Sequence, residues 1–409
     1  MAKQPSLLRE ELRRAWRELR GSALSPGRGA AAVAIGLFVG SQPIFGCHTP
    51  IVLALCLWLR LDAAIAWVAS NISNPFFAPF LLTAEVQVGA YVLHGEPVVF
   101  TAEMARETGF SGFAGYAFLG APFVGLALAA TGALLVFGFV AARRRLAPAR
   151  VGKRKPYRLP EDAPEWWHAA ERVAWRYAPS YETEPAERAR FHYVRVKLVG
   201  DPVSKLVANV EGEDPGVLGE VFDLGTGRGQ LPILLLELGR ASSARGVDWD
   251  EGKIAEANRA ARQAGEREAL PAAFEVGDAT DAAVEPADTV LLIDLLHYLT
   301  LAEQDDVLTR AAAAVRPGGR VVVREADTER GWRSFMTWAE ELVFTAVRFN
   351  RGARVRFRPA REIVAALQSA GLACDVLPAW GKTPFSNVLV VGRRPVEDHA
   401  DLDAADTCE

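Results

Sequence analysis

The densest chemistry in the chain lies in seven residues, Asp223-Leu-Gly-Thr-Gly-Arg-Gly229. An apolar run, Val221 to Leu224, leads into them, and a helical pattern, Gln230 to Glu237, leads out. That order reads as a strand, a tight turn and a helix. Gly225, Gly227 and Gly229 let the backbone turn sharply and approach a ligand with no Cβ in the way. The following helix presents free N–H groups at its start. A dinucleotide loop is spaced G-x-G-x-x-G and seats a pyrophosphate. Here the third glycine comes one residue early, and Asp223 stands where an anion would be repelled. The pattern suits a cationic ligand. Taken alone, it also suits a plain strand–helix turn.

Acids recur at the ends of the next apolar runs. Arg245-Gly-Val-Asp248-Trp249 places an acid where it can accept both hydroxyls of a ribose, with Trp249 as a wall for a flat base. Phe274-Glu-Val-Gly-Asp278-Ala279 ends in an acid placed to read an exocyclic amino group. Asp288 to Asp294 is a fourth strand, running into Leu295-Leu-His297-Tyr298. Arg316 to Glu325 adds a Pro-Gly-Gly turn and a fifth strand, and Leu372–Leu377 and Asn387–Val391 add two more. Short apolar runs alternating with helical patterns predict an α/β fold around a largely parallel sheet.

Over residues 190–394 this series resembles the class I S-adenosylmethionine-dependent methyltransferases. The resemblance implies a Rossmann-like seven-stranded methyltransferase sheet whose last strand runs antiparallel. It also implies S-adenosyl-L-methionine lying across the C-terminal strand ends. The implied cofactor residues are Asp223, Gly225, Thr226, Gly227 and Gly229 in the loop, Asp248 and Trp249 at the ribose, Asp278 and Ala279 at the adenine, and Asp294. A sulfonium methyl is already activated, so the protein has only to align the acceptor and, for some acceptors, remove a proton. His297 and Tyr298 stand just past the fourth strand, at the expected acceptor rim. They read as a base and a positioning group, or else as a capping His and a packing Tyr. Arg324, Glu325 and Asp327 form a charged cluster at the C-terminal edge of the fifth strand, expected to line the site.

Two segments are candidates to cover the pocket. Tyr193, Arg195, Lys197 and Asp201 precede the sheet, and Trp332 to Asn350 carries Trp332, Phe335, Trp338, Phe344 and Phe349. Aromatics at helical spacing are by default core residues. Lys197-Leu-Val-Gly-Asp-Pro202, Leu296-His-Tyr-Leu299, Arg324-Glu-Ala-Asp327 and Arg348-Phe-Asn350 resemble methyltransferases of aryl-polyene pigment pathways. That resemblance implies a phenol-headed polyene or its aryl precursor as acceptor. The chain departs from it at Glu325 and Ala326, where Asp and Gly are expected.

The N-terminal third has another character. Between Gly29 and Ala142 the only charged residues are Arg60, Asp62, Glu85, Glu96, Glu103, Arg106 and Glu107. A soluble domain carries about a quarter of its residues as charges. This segment therefore reads as an all-α transmembrane module. Phe113–Ala142 is a nearly unbroken apolar run, longer than the ~20 residues that cross a bilayer. Ala30–Leu59 and Ala63–Leu93 are broken by Ser41–Pro50 and Ser70–Pro75, as kinked or re-entrant helices are. His48, Asn71 and Asn74 at these breaks read as a polar cleft or, more simply, as fold-defining turns. Residues 20–145 resemble a family of small bacterial membrane domains of unknown function, through Ala34–Gly40, Pro43–Thr49, Asn74-Pro75 and Pro79.

The expected organisation is a basic amphipathic helix (1–28), the helical membrane domain (29–142), a basic Pro-rich linker and helix (143–183), the methyltransferase domain (184–394) and an acidic disordered tail (395–409). In the first of these, Leu8, Leu12, Trp16 and Leu19 form one face and arginines the other. Basic residues flank the module on both sides, so both ends are expected in the cytoplasm, with two or four crossings of a bacterial inner membrane. The four cysteines and six histidines are scattered, so no metal is expected. A net charge of −4 argues against nucleic acid. The expected partners are a membrane and a small-molecule or lipid-like substrate. The alternative is a non-catalytic cofactor-binding scaffold that works through its membrane part.

Overall fold

The structure, a computed structural model, describes residues 25–44, 48–74, 77–97, 102–146, 159, 161–181, 184–212, 214–262, 268–334, 337, 356–381 and 385–396. The basic helix at 6–20, most of the linker, the acidic tail from 397, and Phe335, Trp338, Phe344 and Phe349 lie outside the described residues. Two compact units emerge: Met1–Pro164 with Ser180–Tyr193, and Glu165–Pro179 with Val194–Glu409. The boundary differs from the sequence expectation. The helix within the predicted linker belongs to the second unit, and that unit resumes in the middle of the next helix.

The first unit is helical: α1 (Pro26–Gly40), α2 (His48–Leu59), α3 (Ala63–Ser70) with a 3-10 turn (Asn71–Ser73), α4 (Ala78–His94) and α5 (Ala102–Leu146). Small residues let these helices touch backbone to backbone. A Cβ added to Gly36 would lie 2.2 Å from the Ala66 carbonyl oxygen, joining α1 to α3. One on Gly120 would lie 1.9 Å from the Glu85 oxygen, and one on Gly89 the same distance from the Tyr116 oxygen, joining α4 to α5. Such close crossings are how helices associate where apolar burial gives no drive. One helical stretch, Phe113–Arg145, is long and apolar enough to cross a membrane by itself, and 17% of its apolar window is buried. Its Phe118, Phe123, Leu126, Leu134 and Leu135 are exposed. Ala63–Ser73 and Ala78–His94 pass the same test only as a pair bent by 75°. The described residues thus offer one or two spans, against the two or four expected, because the Asn/Pro break divides the second apolar run.

The second unit is the α/β domain. After α6 (Glu165–Arg176), α7 (Pro185–Gly200, shared with the first unit) and α8 (Pro202–Ala208) come β1 (Gly219–Leu224), α9 (Gln230–Glu237), β2 (Ala241–Asp248), α10 (Glu251–Ala261), β3 (Ala272–Val276) and β4 (Ala287–Ile293). Then follow a 3-10 turn (Leu296–Tyr298), α11 (Leu301–Ala314), β5 (Val315–Ala326), α12 (Ala360–Ser369), β6 (Ala373–Pro378) and β7 (Asn387–Arg393). The seven strands lie in the order β3-β2-β1-β4-β5-β7-β6. β1 to β5 are parallel, and β7 runs antiparallel between β5 and β6. This is the Rossmann-like methyltransferase sheet the resemblance implied.

Strand alternation builds a core on each face. Val290, Leu292, Val321 and Val323 pack against Val307 and Leu308 of α11 and Ile363 and Leu367 of α12. Val221, Leu291 and Val322 point the other way, onto Val203 and Val207 of α8 and Leu235 of α9. The order reverses between β1 and β4, so the crevice at the C-terminal ends of these two strands is where a doubly wound sheet binds its ligand.

The close α4–α5 crossing gives a direct test. Gly120→Val would push a side chain into the Glu85 backbone, an overpacking that costs about 1–3 kcal/mol or more. The melting temperature of the helical module in detergent, followed by circular dichroism, should fall. The affinity of the α/β domain for its ligand should not change.

Candidate functional site

The acids of the sequence pattern all arrive at one edge of the sheet. Asp223 lies in β1, Asp248 closes β2, Asp278 follows β3, Asp294 follows β4 and Glu325 lies near the end of β5. Between β1 and α9 the loop turns through positive φ at Gly225 (80°), Gly227 (58°) and Gly229 (67°). Gly225 and Thr226 both donate their N–H to the Val247 oxygen, at 2.8 and 3.0 Å. The Gly227 N–H donates to Asp248 Oδ2 at 2.8 Å, and the Asp250 N–H to Oδ1 at 3.0 Å. The loop is thereby sewn to β2. A Cβ on Gly229 would collide with Phe274 and Ala257, so this glycine seats the helix on the sheet. At Gly227 a Cβ would meet nothing within 4 Å, so the loop's open side faces free space.

Asp223 is 3% exposed. Burial pushes its carboxyl up to about 7; the nearby Thr226 side chain opposes the shift, Asp248 adds to it, and Lys197 again opposes it. Asp278 is exposed and shapes the turn after β3, its Oδ1 accepting from the Thr280 N–H (2.9 Å) and hydroxyl (2.8 Å). Trp249 is half-exposed at the mouth of β2, with Lys253 Nζ 5.8 Å from its ring centre. Asp294 adopts a left-handed φ of 54°. Non-glycine residues held there cluster at functional sites. Its Oδ2 pairs with Arg324 Nη1 at 2.5 Å, and the same nitrogen reaches Asp201 Oδ2 at 3.2 Å.

His297 is 5% exposed, and its Nδ1 is 2.8 Å from Glu325 Oε2. Glu325 Oε1 accepts the Leu296 N–H at 2.7 Å, which ties the turn after β4 to β5. Tyr298 and Phe357 flank the imidazole, with ring centres 4.0 and 5.2 Å away. The geometry therefore assembles a carboxylate–imidazole pair against an aromatic wall. Asp327 differs from expectation. Its Oδ1 accepts the Glu329 and Ala360 N–H groups, both at 3.2 Å, and its Oδ2 holds Arg330 Nε at 2.7 Å. The carboxylate is used to start α12 and fix the following loop. Asp201, expected over the pocket, caps α8 through the Val203 N–H at 3.0 Å and anchors Arg324. Of the covering segment at 332–350, Trp332 is exposed, and Arg333 lies 5.0 Å over its ring.

Three supports escaped sequence reasoning. Arg310 on α11 donates to the carbonyls of Ala282 (2.7 Å), Thr280 (2.8 Å) and Ala279 (2.9 Å), holding the turn that carries Asp278. The buried Tyr177 donates its hydroxyl to the Arg228 carbonyl, bracing the glycine loop from behind. Arg172 and Arg176 of α6 clamp Glu237 at the end of α9, at 3.0 and 2.5 Å. Nothing in the spacing of these residues marks them, since their targets are backbone groups or lie far along the chain.

Residues 221–319 match the family described as "Methyltransferase domain". Residues 10–147 match the family described as "Uncharacterized protein conserved in bacteria (DUF2062)". The two matches cover separate parts of the chain, one in the helical module and one in the sheet domain. No curated protein matches it. Similar solved structures include the magnesium protoporphyrin IX methyltransferase (ChlM) from Synechocystis PCC 6803 with bound SAH. It is 22% identical, with a TM-score of 0.35 over 47% of this chain and 80% of that one. An O-methyltransferase family protein from Burkholderia thailandensis is 19% identical, with a TM-score of 0.39 over 66% of this chain and 88% of that one.

The residues at this sheet edge fit S-adenosylmethionine: the open side of Gly227 leaves room for a ligand against the loop, and the strand-end acids suit hydroxyl, amino and cationic groups.

Asp248→Ala should abolish cofactor binding measured by calorimetry; retained affinity would show that the ribose lies elsewhere. Asp223 makes binding pH-dependent. Its carboxyl is neutral below about 7 and charged above, and only the charged form attracts a cation. Between pH 6 and 8 the ionised fraction rises from about a tenth to about nine tenths, so the dissociation constant should fall by up to roughly tenfold. In Asp223→Asn that slope should vanish.

Proposed function

We propose that this chain is a membrane-tethered S-adenosylmethionine-dependent methyltransferase acting on a small or lipid-like aromatic acceptor. The observation that carries the reading is the convergence of Asp223, Asp248, Asp278 and Asp294 with the glycine loop on one sheet edge, next to the His297–Glu325 pair. In this reading Asp248 holds the ribose, Asp278 the adenine amino group, and Trp249 and Ala279 flank the base. Asp223, Thr226 and the loop face the cationic end, and Asp294 borders it.

When bound, the cofactor supplies a methyl group already activated by its sulfonium. The chain's own part is alignment and proton management. Glu325 accepts from Nδ1 of His297, which fixes the tautomer that leaves Nε2 basic and stabilises the imidazolium once it forms. His297 would then take the proton of an acceptor hydroxyl, and Tyr298 beside it would orient the acceptor ring. Glu325 is a positioning residue here, and Asp327 acts on the fold of the site's edge.

The tether rests on the exposed apolar surface of Phe113–Arg145, a helix roughly 50 Å long against a hydrocarbon core of about 30 Å. The basic flanks, Lys3–Arg28 and Arg143–Arg158, support a cytoplasmic position for the catalytic domain in a bacterial inner membrane. A membrane address favours an acceptor that partitions into lipid, such as a phenol-headed polyene.

His297→Ala should leave cofactor affinity intact and slow methyl transfer to a phenolic acceptor by about 10²–10⁴-fold. Glu325→Gln should lower kcat less and shift the acid limb of the pH–rate profile. Unchanged turnover in His297→Ala would remove the general base from this mechanism.

A further inference from the structure

The helical module carries a second polar site, independent of methyl transfer. Glu85 on α4 is 2% exposed, and its Oε1 has no hydrogen-bond partner among the described residues. It lines a cavity of about 10 Å³ together with Ser41, Gln42 and Ser73, room for one water-sized occupant. A larger cavity of about 190 Å³ shares Ser73 with it and is otherwise lined by His48, Thr49, Ser70, Asn71 and Asn74. Every residue lining this larger cavity is polar.

Two interrupted helices bring these groups together. Ser41 and Gln42 follow the last residue of α1, and Ser73 ends the 3-10 turn before the chain swings by 75° into α4. The C-terminus of α1 and the N-terminus of α4, at Ala78, both meet the cavity with opposite partial charges, so the carboxylate sets the sign of the occupant. The hydrogen bonds of Ser41 and Gln42 agree, because their donors are turned away from the cavity's oxygens. The Ser41 hydroxyl and the Gln42 amide nitrogen both donate to the Phe38 oxygen, at 2.9 and 2.8 Å. Gln42 Oε1 and a lone pair on Ser41 Oγ remain as acceptors. A carboxylate left uncompensated among apolar helices is costly, and such residues mark functional sites.

We propose that this cavity binds one monovalent metal cation, Na⁺ or K⁺, through Glu85, with Ser41, Gln42 and Ser73 as neutral oxygen ligands and the larger polar cavity as its approach. One carboxylate balances one positive charge. The described residues hold no group of three His, Cys, Asp or Glu that would suit a divalent or softer ion.

The test uses the full-length protein in lipid nanodiscs, melted in NaCl, KCl or choline chloride at equal ionic strength. The melting temperature of the helical module should rise saturably with Na⁺ or K⁺ and not with choline. Glu85→Gln, nearly identical in shape, should lose that rise and keep its helical content. Equal melting in all three salts, or a rise that persists in Glu85→Gln, overturns the proposal. Should that variant not fold, calorimetric titration of the unmodified protein decides. A saturable heat with NaCl or KCl supports the site, and none with either rejects it. None of these readouts depends on methyl transfer.

Discussion

The hydrogen bond from the Gly227 amide to Asp248 joins the two parts on which the α/β domain depends. One is a glycine loop that must stay open toward a ligand. The other is a strand-end acid that is 8% exposed. A buried carboxylate needs donors, and the Gly227 amide of the loop and the Asp250 amide after β2 provide one to each oxygen of Asp248. Each oxygen still has acceptor capacity, so the arrangement that stabilises the empty fold also leaves it ready for hydroxyl donors. The same economy appears at Glu325, where one carboxylate fastens the turn after β4 and orients His297.

Around this edge the domain stiffens what the ligand would touch. Tyr177, just past α6, braces the loop from behind, Arg172 and Arg176 of α6 clamp the far end of α9, and Arg310 holds the turn of Asp278 from the side. Arg324 lies between Asp294 and Asp201, linking the end of β4 to the start of α8. These arginines are partly or fully withdrawn from water and bonded to carbonyls or carboxylates, where charge-assisted hydrogen bonds are strongest. Preorganisation of this kind lowers the cost of aligning an acceptor.

The helical module follows different physics. Its closest crossings rest on glycine and alanine, and Phe118, Phe123, Leu126, Leu134 and Leu135 face outward. Polar residues gather where helices break, because only there are backbone and side-chain groups free to line a cavity.

Much of this was legible in the sequence for reasons that are local. Glycine spacing dictates a turn, period-two valines dictate strands, and an acid after an apolar run falls at a strand end whatever the rest of the chain does. That is why the strands along the chain, and Asp223, Asp248, Asp278 and Asp294 at their ends, could be anticipated. The tertiary structure decided what depends on residues far apart in the chain. It paired His297 with Glu325 across 28 positions and turned Asp327 from a site residue into the start of a helix. It grouped Glu165–Arg176 with the sheet in one compact unit. It enclosed Glu85 beside Ser41 and Gln42. The glycine loop, a tight turn by its own sequence, is held in its observed shape by β2 on one side and Tyr177 on the other. Spacing reports what neighbouring residues can do together. Which distant groups satisfy a buried charge is settled only when the chain closes on itself.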